Sequence, residues 1–138
     1  MNLNEIPLFA MLKGRFSHLN ERQRLISQNV ANSDTPGYTP GDLKPYTFEA
    51  QVKAAQAGGA SAQAVTQPGH MTPASSRRSP YKTVKAKDSE TTLDGNSVVL
   101  EEEMLKMTEA RMNYDAAIGF YQKSMGMLRL ASRAPGRG

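Results

Sequence analysis

The chain has 138 residues, 38% of them hydrophobic, with no cysteine and no tryptophan. That length suits one modest domain, and the missing cysteines exclude disulfides, thiolate nucleophiles and cysteine metal sites. The net charge of +4 gathers in the middle, where residues 51–95 hold six basic side chains (Lys53, Arg77, Arg78, Lys82, Lys85, Lys87) against three acidic ones. Without interleaved aromatic residues that excess reads as a solvated linker rather than a nucleic-acid surface.

The N-terminus lacks a basic region followed by a long apolar run, so no cleavable signal peptide is expected. No stretch reaches the roughly 20 apolar residues of a membrane span.

In chain order, the first element is a long helix. Phe9, Leu12, Phe16, Leu19, Gln23, Ile26 and Val30 alternate steps of three and four, a heptad stripe with one polar member. Asn4 is the expected N-cap, and Pro7 falls in the first turn, where its missing N–H costs little. The predicted helix spans about residues 5–32. His18 falls on its polar side, and Leu25 on a flank of the stripe.

The helix closes in Ser27-Gln28-Asn29-Val30-Ala31-Asn32-Ser33-Asp34-Thr35-Pro36-Gly37-Tyr38. Asn32, Asp34 and Thr35 are suited to bonding the open last turn. Pro36-Gly37 redirects the chain, since Pro fixes one dihedral and Gly permits positive φ. Tyr38 is an aromatic anchor beyond the bend.

Residues 53–95 are rich in Ala, Gly, Ser, Thr, Gln, Pro and Lys, and the run 54–62 is of low complexity. Little there offsets the entropy of ordering, so an irregular loop is expected. Tyr46-Thr47-Phe48 alternates and offers one short strand.

The last element repeats the heptad pattern. Leu100, Met104, Met107, Arg111, Tyr114, Ile118, Tyr121, Met125 and Leu128 form a row broken only by Arg111. Asp94-Gly95-Asn96-Ser97 supplies a turn and a cap. Glu101, Glu102 and Glu103 suit the positive end of a helix dipole, and Arg129 and Arg133 suit its negative end. This helix is predicted over about 97–133, with Pro135-Gly136 as its stop.

The fold expected is mainly α: terminal helices paired as an antiparallel coiled-coil-like hairpin around a largely irregular middle. Its divisions are 1–38 (first helix and turn), 39–95 (middle) and 96–138 (last helix and tail). Gln23 and Arg111 interrupt their stripes and are candidate register residues, because a polar residue at a seam fixes stagger. Apolar flanks left over by two helices (Leu25, Val99, Leu105, Met112, Phe120) point to burial against neighbouring subunits.

No enzyme chemistry is visible. His18 and His70 are far apart and share no metal-ligand spacing. Gly58-Gly59 lacks the phosphate-loop motif, and Glu101–Glu103 reads as a helix start rather than an acid–base pair. Neither catalytic residues, cofactor nor metal is expected. The amphipathic ends are too evenly charged for a membrane-surface helix.

The segment from Asn29 to Tyr38 resembles the signature of the flagellar rod, hook and hook-associated proteins, in which an N-terminal helix ends in an Asn-x-Ala-Asn…Thr-Pro-Gly-Tyr turn. Here the matching residues are Asn29, Ala31, Asn32, Thr35, Pro36, Gly37 and Tyr38. Arg22-Gln23-Arg24-Leu25-Ile26, Gly41-Asp42-Leu43 and Leu93–Met104 are similar to this family as well, the last to the proximal-rod branch. A sister proximal-rod subunit shares the first signature. The resemblance implies a structural subunit that self-associates into a helical tube in the periplasm, transmitting torque and enclosing an export channel. It also implies contacts with other rod proteins, the adaptor FliE and export-gate proteins, and export through the flagellar type III apparatus without a cleaved signal.

Overall fold

The computed structural model describes residues 7–47, 49 and 81–133. Asn4, Phe48, His70, Gly58-Gly59, the low-complexity run and Pro135-Gly136 lie outside the described residues.

Two helices dominate. Helix α1 spans Pro7–Ala31, with Pro7 at its first position, and helix α2 spans Leu100–Ser132. Strand β1, Gly41–Leu43, pairs antiparallel with strand β2, Thr83–Lys85, and sets Asp42 opposite Val84. The strand expected at Tyr46-Thr47-Phe48 therefore lies a few residues earlier, and Tyr46 and Thr47 are irregular. The β2 partner comes from the segment read as loop. Its short Thr-Val-Lys run has little strand signal of its own, and it is held by ladder bonds extending to Ala86 N–H on Pro40 O (3.0 Å) and Lys44 N–H on Lys82 O (3.1 Å).

Contacts between the helices are consistent with antiparallel pairing. Phe9 packs edge-on against Tyr121 with ring centroids 5.5 Å apart, and Phe16 against Tyr114 at 5.3 Å. Arg22 lies 3.8 Å from Glu109, and Asn29 hydrogen-bonds Glu103 at 2.9 Å. One number rises as the other falls. T-shaped ring pairs at these separations each contribute about 1 kcal/mol beyond the area they bury.

On α1 the large members of the stripe are buried: Phe9, Leu12, Leu19 and Ile26, with Phe16 and Gln23 half-buried and Val30 exposed. On α2 the buried residues are Glu103, Ala110, Ala117 and Ser124, one every seven residues. Met107, Tyr114, Tyr121 and Leu128 interleave with them, so the seam keeps half of the expected row. Met104, Arg111, Ile118 and Met125 sit one position around the helix from this line, three of whose four members are small. Met104 and Arg111 are exposed, and Ile118 and Met125 are half-buried. Small residues win the innermost positions because they let the backbones approach and leave room for the rings of Phe9 and Phe16.

A second face of α1 is also covered. His18, placed on the polar side by its sequence pattern, is buried, and so is Leu25, read as a wet flank. The returning middle segment covers His18. Leu43 on β1 is buried, Tyr46 Oη donates to Met11 O (3.1 Å) and Tyr81 Oη to Gly14 O (2.9 Å). His18 Nε2 donates to Lys44 O at 2.9 Å, and its ring packs between those of Tyr46 and Tyr81. Arg22 reaches from this face to Asp42 on β1 through two bonds of 3.1 and 3.3 Å. A forked pair of this kind fixes geometry as well as charge.

Candidate functional site

The end of α1, the turn after it and the start of α2 meet in one clasp. Asn29 is its centre. Its Nδ2 donates to Gly41 O (2.8 Å) and to Glu103 Oε2 (2.9 Å), while its Oδ1 accepts from Tyr38 Oη and Gly41 N–H, both at 3.0 Å. A buried amide has two donors and two acceptor sites, and here all four are used. Glu103 is fully buried; its other oxygen accepts from Lys106 Nζ at 2.7 Å. Lys106 also donates to Asp88 Oδ1 (2.6 Å), and Asp88 Oδ2 accepts the Val99 N–H at the head of α2 (2.8 Å). Val99, the residue flanking the helix, makes no side-chain cap of its own. The carboxylate of Asp88, eleven residues upstream, acts in its place.

Beside this chain of charges, the two turns lock together through backbone groups. Asn96 Nδ2 donates to Asn32 O (2.9 Å) and Thr35 O (2.7 Å), and its Oδ1 accepts the Val98 N–H. Gly37 N–H donates to Asp94 O at 3.0 Å and Ser97 N–H to Tyr38 O at 3.0 Å. Asn32 turns its own amide onto Gln28 O and accepts from Thr35 Oγ1. The open carbonyls of the last turn of α1, on Gln28, Asn29 and Val30, are met locally by Asn32 and Ser33, and the segment that begins α2 meets those of the turn that follows. Among the described residues every buried side-chain polar atom has a partner.

Gly95 and Gly37 carry the tight geometry, at φ +85 and +71. A Cβ on Gly95 would sit 3.4 Å from Gly37 Cα, whereas a Cβ on Gly37 would meet nothing. Gly95→Val is therefore expected to cost about 2 kcal/mol, and Gly37→Asn under about 1 kcal/mol. Urea unfolding followed by circular dichroism compares the two directly.

Ionisation ties the clasp to pH. Burial pulls the Lys106 ammonium down, but bonds and charge from Asp88 and Glu103 more than reverse this, and its pKa stands above the ordinary 10.5. Burial pushes the Tyr38 phenol above 10.0, helped by the Glu103 charge. Both groups hold their proton more tightly in the fold. Their contribution is complete below the free-group values and is lost as pH rises through the raised ones. Helix content is expected to stay flat from neutral pH to about pH 10 and to fall above it. A pH titration of ellipticity tests this, and Lys106→Gln should shrink the alkaline loss.

Of the residues singled out from sequence, Asn29, Asn32, Thr35, Gly37 and Tyr38 meet in the clasp. Ala31 and Pro36 are exposed. Asp88, Asn96, Glu103 and Lys106 were not singled out as site residues. Glu103 looked like one of three helix-start acids, and Asn96 like a local cap. Asp88 and Lys106 carry no signal in a single sequence, because eighteen residues separate them.

Nothing in this arrangement resembles a reaction centre. Among the described residues no cluster of three His, Asp or Glu side chains could hold a metal ion, and no helix is long and apolar enough to cross a membrane. The clasp joins two terminal helices, and α2 leaves large apolar side chains uncovered, including Leu100, Met104, Leu105 and Met112.

The comparison with known proteins is more particular. The chain is similar to the flagellar basal body rod protein FlgB of Agrobacterium fabrum (strain C58 / ATCC 33970), with 28% identity over 120 residues covering 83% of this chain and 84% of that one. No family model matches the chain.

Proposed function

We propose that this protein is a structural subunit of the proximal rod of the bacterial flagellar basal body, a FlgB-like rod protein rather than an enzyme. One observation carries the reading: the Asn29–Tyr38 signature takes part in the clasp that joins the end of α1 to the start of α2, within a chain similar to a named rod protein over most of its length.

In this reading α1 and α2 pair as an antiparallel coiled-coil-like hairpin, and copies of it pack into a helical tube. Heterologous contacts between rotated copies generate such an open assembly. The tube transmits torque across the periplasm and encloses the export channel, with other rod proteins, the adaptor FliE and the export gate as neighbours. Export proceeds through the flagellar type III apparatus without a cleaved signal. The exposed positions of the predicted stripes, Val30, Leu100, Met104, Arg111 and Tyr121, are then surfaces awaiting a neighbour; Ile118 and Met125 are half-buried beside them.

Deleting the gene should abolish swimming and leave basal bodies without rods. The wild-type gene should restore both, and a version lacking residues 97–133 should restore neither. A deletion strain that swims refutes the reading.

A further inference from the structure

The seam between α1 and α2 has two edges. Along one, the strands and the segment after them lie against both helices: Arg22 reaches Asp42, Asn29 reaches Gly41, and Lys106 reaches Asp88. Along the other, Lys13, Asn20 and Ser27 follow one another on α1 at seven-residue intervals, and Met104 and Arg111 do the same on α2. All five are exposed, so they border an open groove, with the half-buried Phe16 and Tyr114 at its floor.

The outer surface of α2 is ordered in lines as well. Leu105, 71% exposed, and Met112, 68% exposed, share one heptad line. It differs by one residue from the Met104–Arg111 line, so the two stand about 100° apart around the helix. Between them runs the line Glu101, Thr108, Asp115, Gln122 and Arg129, polar and exposed at every position.

Charge distinguishes groove from line. The groove borders carry Lys13 and Arg111 and no acid, while Glu101, Glu109 and Asp115 surround Leu105 and Met112. Among the described residues Lys13, Arg111, Glu101 and Asp115 take part in no ion pair.

We propose that the Leu105–Met112 line of one copy of the chain seats in this groove of the next copy, the two in the same orientation and nearly level. The proposal rests on the rod-subunit reading, which supplies copies in one orientation. Within one copy the Phe16–Tyr114 and Arg22–Glu109 contacts set Asn20 about level with Arg111. Level copies therefore place Met112 of one opposite Asn20 of the next, and Asp115 beside Arg111. Sliding Lys123 and Arg129 against Arg111 would oppose like charges, which disfavours the shifted registers.

The contact joins a groove to a different surface, so it is heterologous and repeats from copy to copy. Because the two surfaces lie about 100° apart on α2 rather than on opposite sides, each added copy turns the same way, and the run curls around an open space. The Glu101–Arg129 line falls within that angle. It faces the enclosed space, where polar side chains stay solvated.

No native cysteine competes in the test. Asn20→Cys and Met112→Cys variants of the full chain are co-expressed in the deletion strain, and basal bodies are purified and oxidised. The expected result is a 20–112 cross-linked dimer at least tenfold above both the 112–112 dimer and a Lys85→Cys/Met112→Cys control, Lys85 being exposed on the strand side. Dominant 112–112 linkage identifies pairing of like faces and overturns the proposal, as does 20–112 linkage no greater than the control. Arg111→Glu gives a second readout. It should leave the ellipticity of the purified chain unchanged, because Arg111 is exposed, and lower swimming at least tenfold; wild-type swimming overturns the docking. Rods that contain the protein without the 20–112 link refute this docking alone, whereas rods that lack the protein refute the rod-subunit reading.

Discussion

Asn29→Leu is expected to lower the unfolding free energy by about 4 kcal/mol, the largest loss from any single substitution at the clasp. Leucine keeps the forked shape of the amide, in bulkier form, but offers no bond. It would strand the Glu103 carboxylate, the Tyr38 hydroxyl and both backbone groups of Gly41, all of which Asn29 satisfies now. Glu103 weighs most, because it is fully buried and would keep only Lys106 as a partner. A buried charge robbed of one partner costs more than the bond it loses. Urea unfolding of the purified chain measures the effect. The double variant Asn29→Leu/Glu103→Leu should then be less unstable than the sum of its parts, since the stranded carboxylate is gone. Additive losses would mean that the two side chains act independently.

Ala110→Leu is the second large effect, about 3 kcal/mol. Ala110 is fully buried and sits between the half-buried Met107 and Tyr114 at the seam. A leucine there has no free volume to enter, so the helices must part. That parting would strain the Phe16–Tyr114 contact on one side and the Asn29–Glu103 bond on the other. The neighbouring Arg111→Leu is the control. Arg111 is exposed, so its replacement should change the stability of the isolated chain by under about 0.5 kcal/mol. Thermal melts of the two variants, one residue apart, locate the seam directly.

That contrast marks how far the fold was legible. Phe9, Leu12, Leu19 and Ile26 are large and apolar, and burial follows hydropathy at those positions. On α2 the repeat length was readable and its phase only in part. Met104, Ile118 and Met125 outweigh Glu103, Ala117 and Ser124 on any apolar scale, so the row was drawn one position to the side. Interhelical distance decides that question, and distance favours small side chains. Arg111, a candidate register residue, lies off the seam, and Gln23 is half-buried on the facing helix.

The covered second face of α1 was hidden for another reason. His18 is buried by a segment more than fifteen residues away, so no local period reveals it. Half of the clasp was visible, because Asn29, Asn32, Thr35 and Tyr38 belong to a recognisable turn. The other half answers it from residues 88–106 through side chains whose local setting suggested only a helix start.

The rod-subunit reading is tested most directly by locating the protein in isolated basal bodies. An epitope tag placed within residues 54–62, in a strain that still swims, allows antibody–gold labelling of purified hook–basal bodies. Gold is expected on the rod near its base, with the label lost when Asn29→Leu replaces the wild-type chain. Gold elsewhere, or basal bodies with complete rods and no label, would contradict the assignment.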